Sequence, residues 1–332
     1  MNYIGSKHSL ADFIQAAILR VTGPTEALVL AELFGGTGIV ARRFKPRVRQ
    51  VIVNDTEPYS FVLLKNYIGN GQSLDYAPWL AQLNELPGQP GFVFTQYCAG
   101  GGQGRQYFSD ENGLRIDAIR QKISHWQAEG RIEENLRYFL LASLLESADK
   151  VANTASVYGA FLKQLKKSAQ KPLVLVPALF EPHPGPNLVF QEEANALVEQ
   201  IEGDILYLDP PYNARQYGAN YHLLNTIALY EPFQPQGKTG LRPYYRSPYC
   251  QKDKALAALT DLLKKARFRY IFLSYNNEGL IPLPALSALM QSLGHYDRIE
   301  QVYTRFRADK AHLRQHKASA TIEYLHMLEK RG

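Results

Sequence analysis

With 332 residues, 45% of them hydrophobic and 20% charged, the chain has the make-up of an ordinary soluble globular protein. It is long enough for one large domain or two smaller ones. The apolar stretch Phe13 to Val21 carries Gln15 and Arg20 and is too short for a membrane span, and no cleavable signal precedes it. Two cysteines, Cys98 and Cys250, make neither a disulfide framework nor a metal-ligand spacing, so a cytoplasmic protein without structural metal is expected. A net charge of +6 is compatible with a polyanionic partner without establishing one.

The chain opens on a predicted helix, with Ser9 as N-cap and Leu10, Phe13, Ile14, Ala17, Ile18 and Val21 at helical spacing. A short apolar strand, Leu28 to Leu33, leads into Phe34-Gly35-Gly36-Thr37-Gly38 and a helix from Ile39. A second strand, Gln50 to Asn54, ends at Asp55, with a helix after Pro58. Strand, glycine loop, helix, strand and acid form the βαβ start of a doubly wound, Rossmann-like α/β sheet. From residue 69 to 186 no strand of that sheet is evident. Helices are predicted over Leu74 to Leu86, Ile116 to Ala128, Ile132 to Lys150 and, more weakly, Ser156 to Lys167, with a Gly/Pro-rich stretch from Pro87 to Gly104. The sheet resumes near Leu188, with a helix over Gln191 to Ile201 and strands over Asp204 to Leu208 and Phe268 to Ser274. Ile299 to Phe306 and Thr321 to Leu328 are expected to close it as an antiparallel pair. Residues 231–250 form a long loop.

Basic residues fall in runs: Arg42 to Arg49, then Lys163, Lys166 and Lys167 on one predicted helix face, then Arg305 to Lys317 beside Tyr303 and Phe306. Such runs usually face solvent, but interleaved with aromatics they also suit phosphate contacts.

Asp209-Pro210-Pro211-Tyr212 leaves the carboxyl end of the strand Ile205 to Leu208, where open α/β sheets place ligands. The prolines stiffen the turn and donate no hydrogen bond, so a carboxylate and a carbonyl are offered as paired acceptors beside an aromatic ring. That set suits an exocyclic amino group on a flat base. A plain strand-terminating turn is the alternative. Upstream, the glycines of 35–38 let backbone approach a ligand, and Asp55, twenty positions after Gly35, is placed to accept from ribose hydroxyls. The loop lacks the full dinucleotide fingerprint, which favours a nucleoside without pyrophosphate.

Asn2-Tyr3-Ile4-Gly5-Ser6-Lys7, the loop Phe34–Gly38, Asp55 and Asp209-Pro210-Pro211-Tyr212, in that order, resemble the D12, or Dam-like, class of DNA adenine-N6 methyltransferases. The resemblance covers nearly the whole chain. It implies a catalytic domain from residues 1–68 and 187–332 that binds S-adenosylmethionine, and a helical DNA target-recognition insertion at 69–186. It further implies that Tyr3, Lys7, Phe34, Gly35, Gly36, Thr37, Gly38, Asp55 and Asp209 line the cofactor and target-base pocket. An acid sixteen or seventeen positions before Asp209 would meet the cofactor adenine; Glu192 and Glu193 both qualify, and Glu193 is favoured because Ala194 follows it.

The chemistry expected is direct in-line transfer from the sulfonium to adenine N6, with Asp209 and the Pro210 carbonyl accepting the N6 hydrogens and Tyr212 stacking on a flipped base. Arg215 and Tyr217 are candidates for holding the flipped nucleotide. His222 is expected to be structural. Ser274 to Asn277 is a candidate addition to the target pocket. Arg105, Arg115, Arg120, Asn153 and Lys163 are candidates for DNA contact from the insertion. Duplex DNA is the expected partner, together with a cognate restriction endonuclease where the enzyme serves a restriction-modification system. The competing readings are a cytosine-N4 or RNA adenine methyltransferase, a non-catalytic DNA-binding module and, less favoured, a dinucleotide oxidoreductase.

Overall fold

The structure, a computed structural model, describes residues 5–304 and 320–331. Tyr3 and the basic segment Arg305 to Lys317 lie outside the described residues. Among the described residues seven strands occur: β1 Val29–Glu32, β2 Gln50–Asn54, β3 Leu188–Phe190, β4 Glu202–Leu208, β5 Arg267–Asn276, β6 Gly294–Thr304 and β7 Ala320–Lys330. The α-helices begin with α1 Ala11–Thr22, α2 Ile39–Phe44, α3 Pro58–Leu64, α4 Ala77–Glu85, α5 Phe92–Tyr97 and α6 Asp110–Ala128. They continue with α7 Glu134–Val151, α8 Ala194–Leu197, α9 Tyr217–Asn220, α10 His222–Leu229, α11 Ala255–Lys265 and α12 Leu283–Leu293. Two compact units share these elements. One comprises Ser6–Thr56, Gly185–Gln216 and Arg246–Gly332; the other comprises Met1–Gly5, Glu57–Pro184 and Tyr217–Tyr245.

The first unit is built on one sheet of order β3-β2-β1-β4-β5-β7-β6. β1 to β5 pair in parallel and β7 runs antiparallel to both β5 and β6, as the closing pair was expected to do. Parallel strands need both faces covered, and the fully buried β1 shows it. One face carries Ala31, Leu33, Leu206, Leu208, Ile271 and Leu273 against Leu197, Leu259, Leu262, Leu286 and Met290 of α8, α11 and α12. On the other face α2 donates Ala41 N–H to the Glu32 carboxylate at 2.8 Å, and Arg20 of α1 reaches Met327 of β7. The expected doubly wound, Rossmann-like α/β sheet is thus present. Arg42 to Arg49 lies where α2 returns to the start of β2, the sheet edge opposite the strands' carboxyl ends, and Lys45 within it is buried.

The second unit is helical, with α6 and α7 packed along each other and a core that includes Tyr97, Tyr107, Phe108, Trp126, Phe139, Tyr158 and Tyr221. α9 and α10 belong to it, through Leu223, Leu224 and Ile227. It therefore takes in 57–68 and 217–245 as well as 69–184 of the 69–186 span expected from sequence, residues 185–186 belonging to the sheet unit. Among the described residues, no helix is long and apolar enough to cross a membrane.

Four local expectations are corrected. Ser9 is no N-cap, because a 3₁₀ turn over His8–Leu10 precedes α1. Residues 156–167 are turns rather than helix. The Asn153 side chain donates to Gln106 and Leu162 carbonyls and accepts from Lys166 N–H, so backbone groups that a helix would pair are used otherwise. Lys163, Lys166 and Lys167 therefore do not share a helix face. The helix expected over Gln191 to Ile201 shrinks to α8, because the Asn54 amide clamps both backbone groups of Glu192. The Gly/Pro-rich stretch contains α5, whose Val93 and Phe94 N–H groups are capped by Asp117 from α6.

Candidate active site

The carboxyl edge of the sheet collects the motifs. Gly36 at φ 54° and Gly38 at φ 73° take the left-handed conformation that reverses the chain between β1 and α2. Gly35 N–H bonds the Asn54 carbonyl at 2.8 Å, and Gly36 N–H bonds Asp55 Oδ2 at 2.7 Å, so the ends of β1 and β2 fix this loop. Phe34, half-buried, meets Tyr249 edge-on with ring centroids 5.0 Å apart. Glu193 turns its carboxylate onto Ala196 N–H as the N-cap of α8, while the Glu192 side chain is exposed.

Asp209 follows β4 directly and faces Lys7. The Lys7 ammonium lies 2.8 Å from Asp209 Oδ1 and 5.5 Å from the centroid of the Tyr212 ring, and only 5% of the lysine side chain is exposed. Lys7 is thus no solvated residue. Burial opposes its charge, but Asp209, Tyr212, Tyr207 and Glu323 more than offset that and hold its pKa well above the ordinary value. Burial pushes the Asp209 carboxyl up, and Lys7 pulls it back only in part. Pro210 is buried, and the Tyr212 carbonyl accepts Leu280 N–H at 2.9 Å, which ties the Pro-Pro-Tyr turn to the loop after β5. Tyr212 packs edge-on against Tyr275, whose hydroxyl accepts Ile281 N–H.

Strand register explains why acids gather here. Residues paired across neighbouring strands share a face, so Glu32, Tyr207, Ser274, Asn276 and Glu323 stand on the same side of the sheet as Asp209. The Tyr207 hydroxyl bonds Ser274 Oγ at 2.7 Å. Burial raises Glu32 well above the carboxylate range; Ala41 N–H opposes this and Asp209 and Asp55 add to it. Sequence reasoning missed Glu32 and Glu323. The available signal was a carboxylate inside an otherwise apolar run, since acids are rarely buried without a partner.

The remaining candidates do not join this group. Arg215, in the sheet unit, is exposed. Within the helical unit, Arg105 is 8% exposed and donates to the carbonyls of Gln96, Gly237 and Lys238, and Lys163 is exposed on a turn. Arg115 bonds the Asn84, Leu86 and Leu173 carbonyls, while Arg120 bonds those of Ile227, Ala228 and Leu229, so both are structural ties. Tyr217 stacks on Tyr221 at 6.2 Å. His222 is fully buried, with Nε2 3.0 Å from the Tyr158 carbonyl, and burial lowers its pKa to about 4, as a structural histidine requires.

Comparison with known families matches residues 3–288 to the D12 class N6 adenine-specific DNA methyltransferases. The chain belongs to that class. This favours DNA adenine over cytosine N4 or RNA as the target. The methyltransferase is 57% identical to the Type II methyltransferase M.NlaIII of Neisseria lactamica, over 99% of each chain. It is 36% identical to M.CviAII of Paramecium bursaria Chlorella virus 1 over 93% of each. It is 38% identical to M.FokI of Planomicrobium okeanokoites over 99% of this chain and 53% of that protein.

Proposed function

We propose that this methyltransferase moves a methyl group from S-adenosylmethionine to adenine N6 in duplex DNA, on a base flipped out of the helix, as the modification component of a restriction-modification system with a cognate endonuclease. The reading is carried by the Lys7–Asp209 pair at 2.8 Å beneath the Tyr212 ring, at the sheet edge that also holds the glycine loop. The donor set there fits the cofactor. The turn at Gly36 and Gly38 admits backbone approach, Asp55 is fixed beside it for ribose hydroxyls, and Phe34 and Tyr249 give an aromatic wall. Phe34 to Gly38, Asp55, Tyr3 and Lys7 would hold it, with Glu193 toward its adenine. Bound there, it supplies an electrophilic methyl on a sulfonium.

The chain's own contribution is to make N6 a nucleophile. The N6 lone pair is delocalised into the adenine ring. Asp209 accepts one N6 hydrogen and the Pro210 carbonyl the other, which localises the pair on nitrogen. The bound sulfonium would supply the methyl to N6 and keep the electrons of the broken carbon–sulfur bond, and Asp209 would take the N6 proton. Lys7 holds the carboxylate in place, and Tyr212 stacks on the base. Positioning and a fixed polar environment supply the rate. Arg215, Tyr217 and Lys163 are assigned to the nucleotide and its phosphates, whereas Arg105 is committed to three backbone carbonyls as Arg115 and Arg120 are.

Labelled methyl incorporated into N6-methyladenine of unmethylated duplex DNA, and lost by at least about 100-fold in Asp209→Asn, is the expected result. An absence of transfer, or a D209N variant equal to wild type, overturns the reading. Mapping methylated adenines after expression in an unmethylated host reports the recognised site.

A further inference from the structure

Glu323 lies beyond the 3–288 span that matches the D12 class, yet it stands on the face of the sheet that carries Asp209. β7 sets Glu323 opposite Asn276 of β5 and Gln301 of β6. Two strand spacings, about 10 Å, separate its position from the end of β4. Its side chain is 8% exposed, the Asn276 side chain holds the carboxyl by a hydrogen bond, and Oε2 has no hydrogen-bond partner among the described residues. Burial disfavours charge there, and the Lys7 ammonium, at the end of β4 on the same face of the sheet, opposes that through space. Lys7 thus answers to Asp209 at 2.8 Å and also to Glu323 and Glu32.

We propose that Glu323 is a positioning residue for methyl transfer, a second anchor that divides the charge of Lys7 and so keeps Asp209 a strong acceptor for the N6 hydrogens. This rests on Asp209 being the group that accepts from the base. A lysine whose charge fell wholly on Asp209 would weaken that carboxylate as an acceptor, because a close cation stabilises its ionised form. A second carboxylate drawing on the same ammonium restores its basicity. The groups facing Glu323 are Lys7 before α1, Asp209 after β4, Asn276 on β5 and Gln301 on β6; Tyr207 of β4 and Glu32 of β1 face the same Lys7–Asp209 pair. Burial raises the Glu323 carboxyl, Lys7 opposes this and Asp209 adds to it, as expected of two acids coupled through one cation.

The direction of the effect is fixed. In Glu323→Gln the Asn276 hydrogen bond has a replacement partner, but Lys7 loses one of the carboxylates that share its charge, so more of that charge acts on Asp209. Single-turnover transfer of labelled methyl to unmethylated duplex DNA, followed from pH 5.5 to 9, should reach a plateau about three- to ten-fold lower. Its acid limb should move to lower pH, with KM for S-adenosylmethionine unchanged. Carboxyl NMR of protein labelled at aspartate, without cofactor, should show the signal that Asp209→Asn removes titrating at lower pH in E323Q. Glu323→Asp keeps the charge and should recover at least half of the plateau. An E323Q variant with the wild-type plateau, acid limb and Asp209 titration overturns the proposal, as does a loss that E323D fails to recover. In either case a D209N variant without transfer leaves the role of Asp209 standing. A D209N variant that still transfers methyl removes that reading and the inference with it.

Discussion

At the scale of single residues, the buried Lys7–Asp209 contact decides most. An ammonium 5% exposed beside a carboxylate 17% exposed is held by its partner, because either charge alone would be costly to bury. Lys7→Met should therefore abolish transfer and lower unfolding free energy by about 3 kcal/mol at neutral pH in urea titrations. The pH dependence of that deficit has a definite sign. Without Lys7, burial raises the Asp209 carboxyl further above its unfolded value, so ionising it opposes folding, and the deficit should shrink as the pH falls and Asp209 protonates. In the wild-type chain the contribution of Lys7 itself, whose pKa is raised, is intact below the ordinary lysine value and is lost only above it. A deficit that did not change with pH would mean that the lysine acts by packing alone.

At the scale of elements, the glycine loop is a backbone device. Gly38 is the N-cap of α2 at φ 73°, where a Cβ would be strained by about 1–2 kcal/mol. Gly38→Ala should lower affinity for S-adenosylmethionine by calorimetry more than it lowers melting temperature; equal affinity would separate the loop from cofactor binding. The strands around this loop were legible because parallel strands buried on both faces read as apolar runs, and Val51-Ile52-Val53 and Ile205-Leu206-Tyr207-Leu208 do so. α10 went unread although its residues are mostly apolar. Its N-cap, Tyr221, makes no side-chain cap bond, so no local signal marks its start. α5 was illegible for a stronger reason. Its first N–H groups are capped by Asp117, more than twenty residues away in sequence, which no local pattern announces. The same holds for the site. Asp209, Lys7, Asp55 and the glycines are local motifs, whereas Glu32 and Glu323 join them only through strand register.

At the scale of the whole molecule, two histidines tie stability to pH in both units. His222 in the helical unit and His326 on β7 are buried, and desolvation lowers each to about 4. A neutral histidine in the fold and an ordinary one in the unfolded chain mean that the unfolded state binds more protons between pH 4 and 6.5. The contribution of each histidine should therefore be intact above about pH 6.5 and fall through that window, by about 3 kcal/mol once pH 4 is passed, against the opposite trend of the buried carboxyls whose pKa is raised. Urea titrations at pH 7, 5.5 and 4.5 should show the decline, and His222→Gln should flatten its slope relative to its own value at pH 7. A parallel slope in that variant would assign the acid sensitivity to other groups.

The chain passes from one compact unit to the other after residues 5, 56, 184, 216 and 245. Leu223, Leu224 and Ile227, which the helical unit needs for its core, are thereby encoded downstream of the Asp209 motif. A single recombination event that exchanged 57–184 for the same span of a relative would import helices without the α9–α10 segment that completes their interior. Grafting a foreign helical unit onto this sheet thus calls for two coordinated exchanges. A chimera carrying only the first should be recovered in inclusion bodies, and one carrying both should be recovered folded.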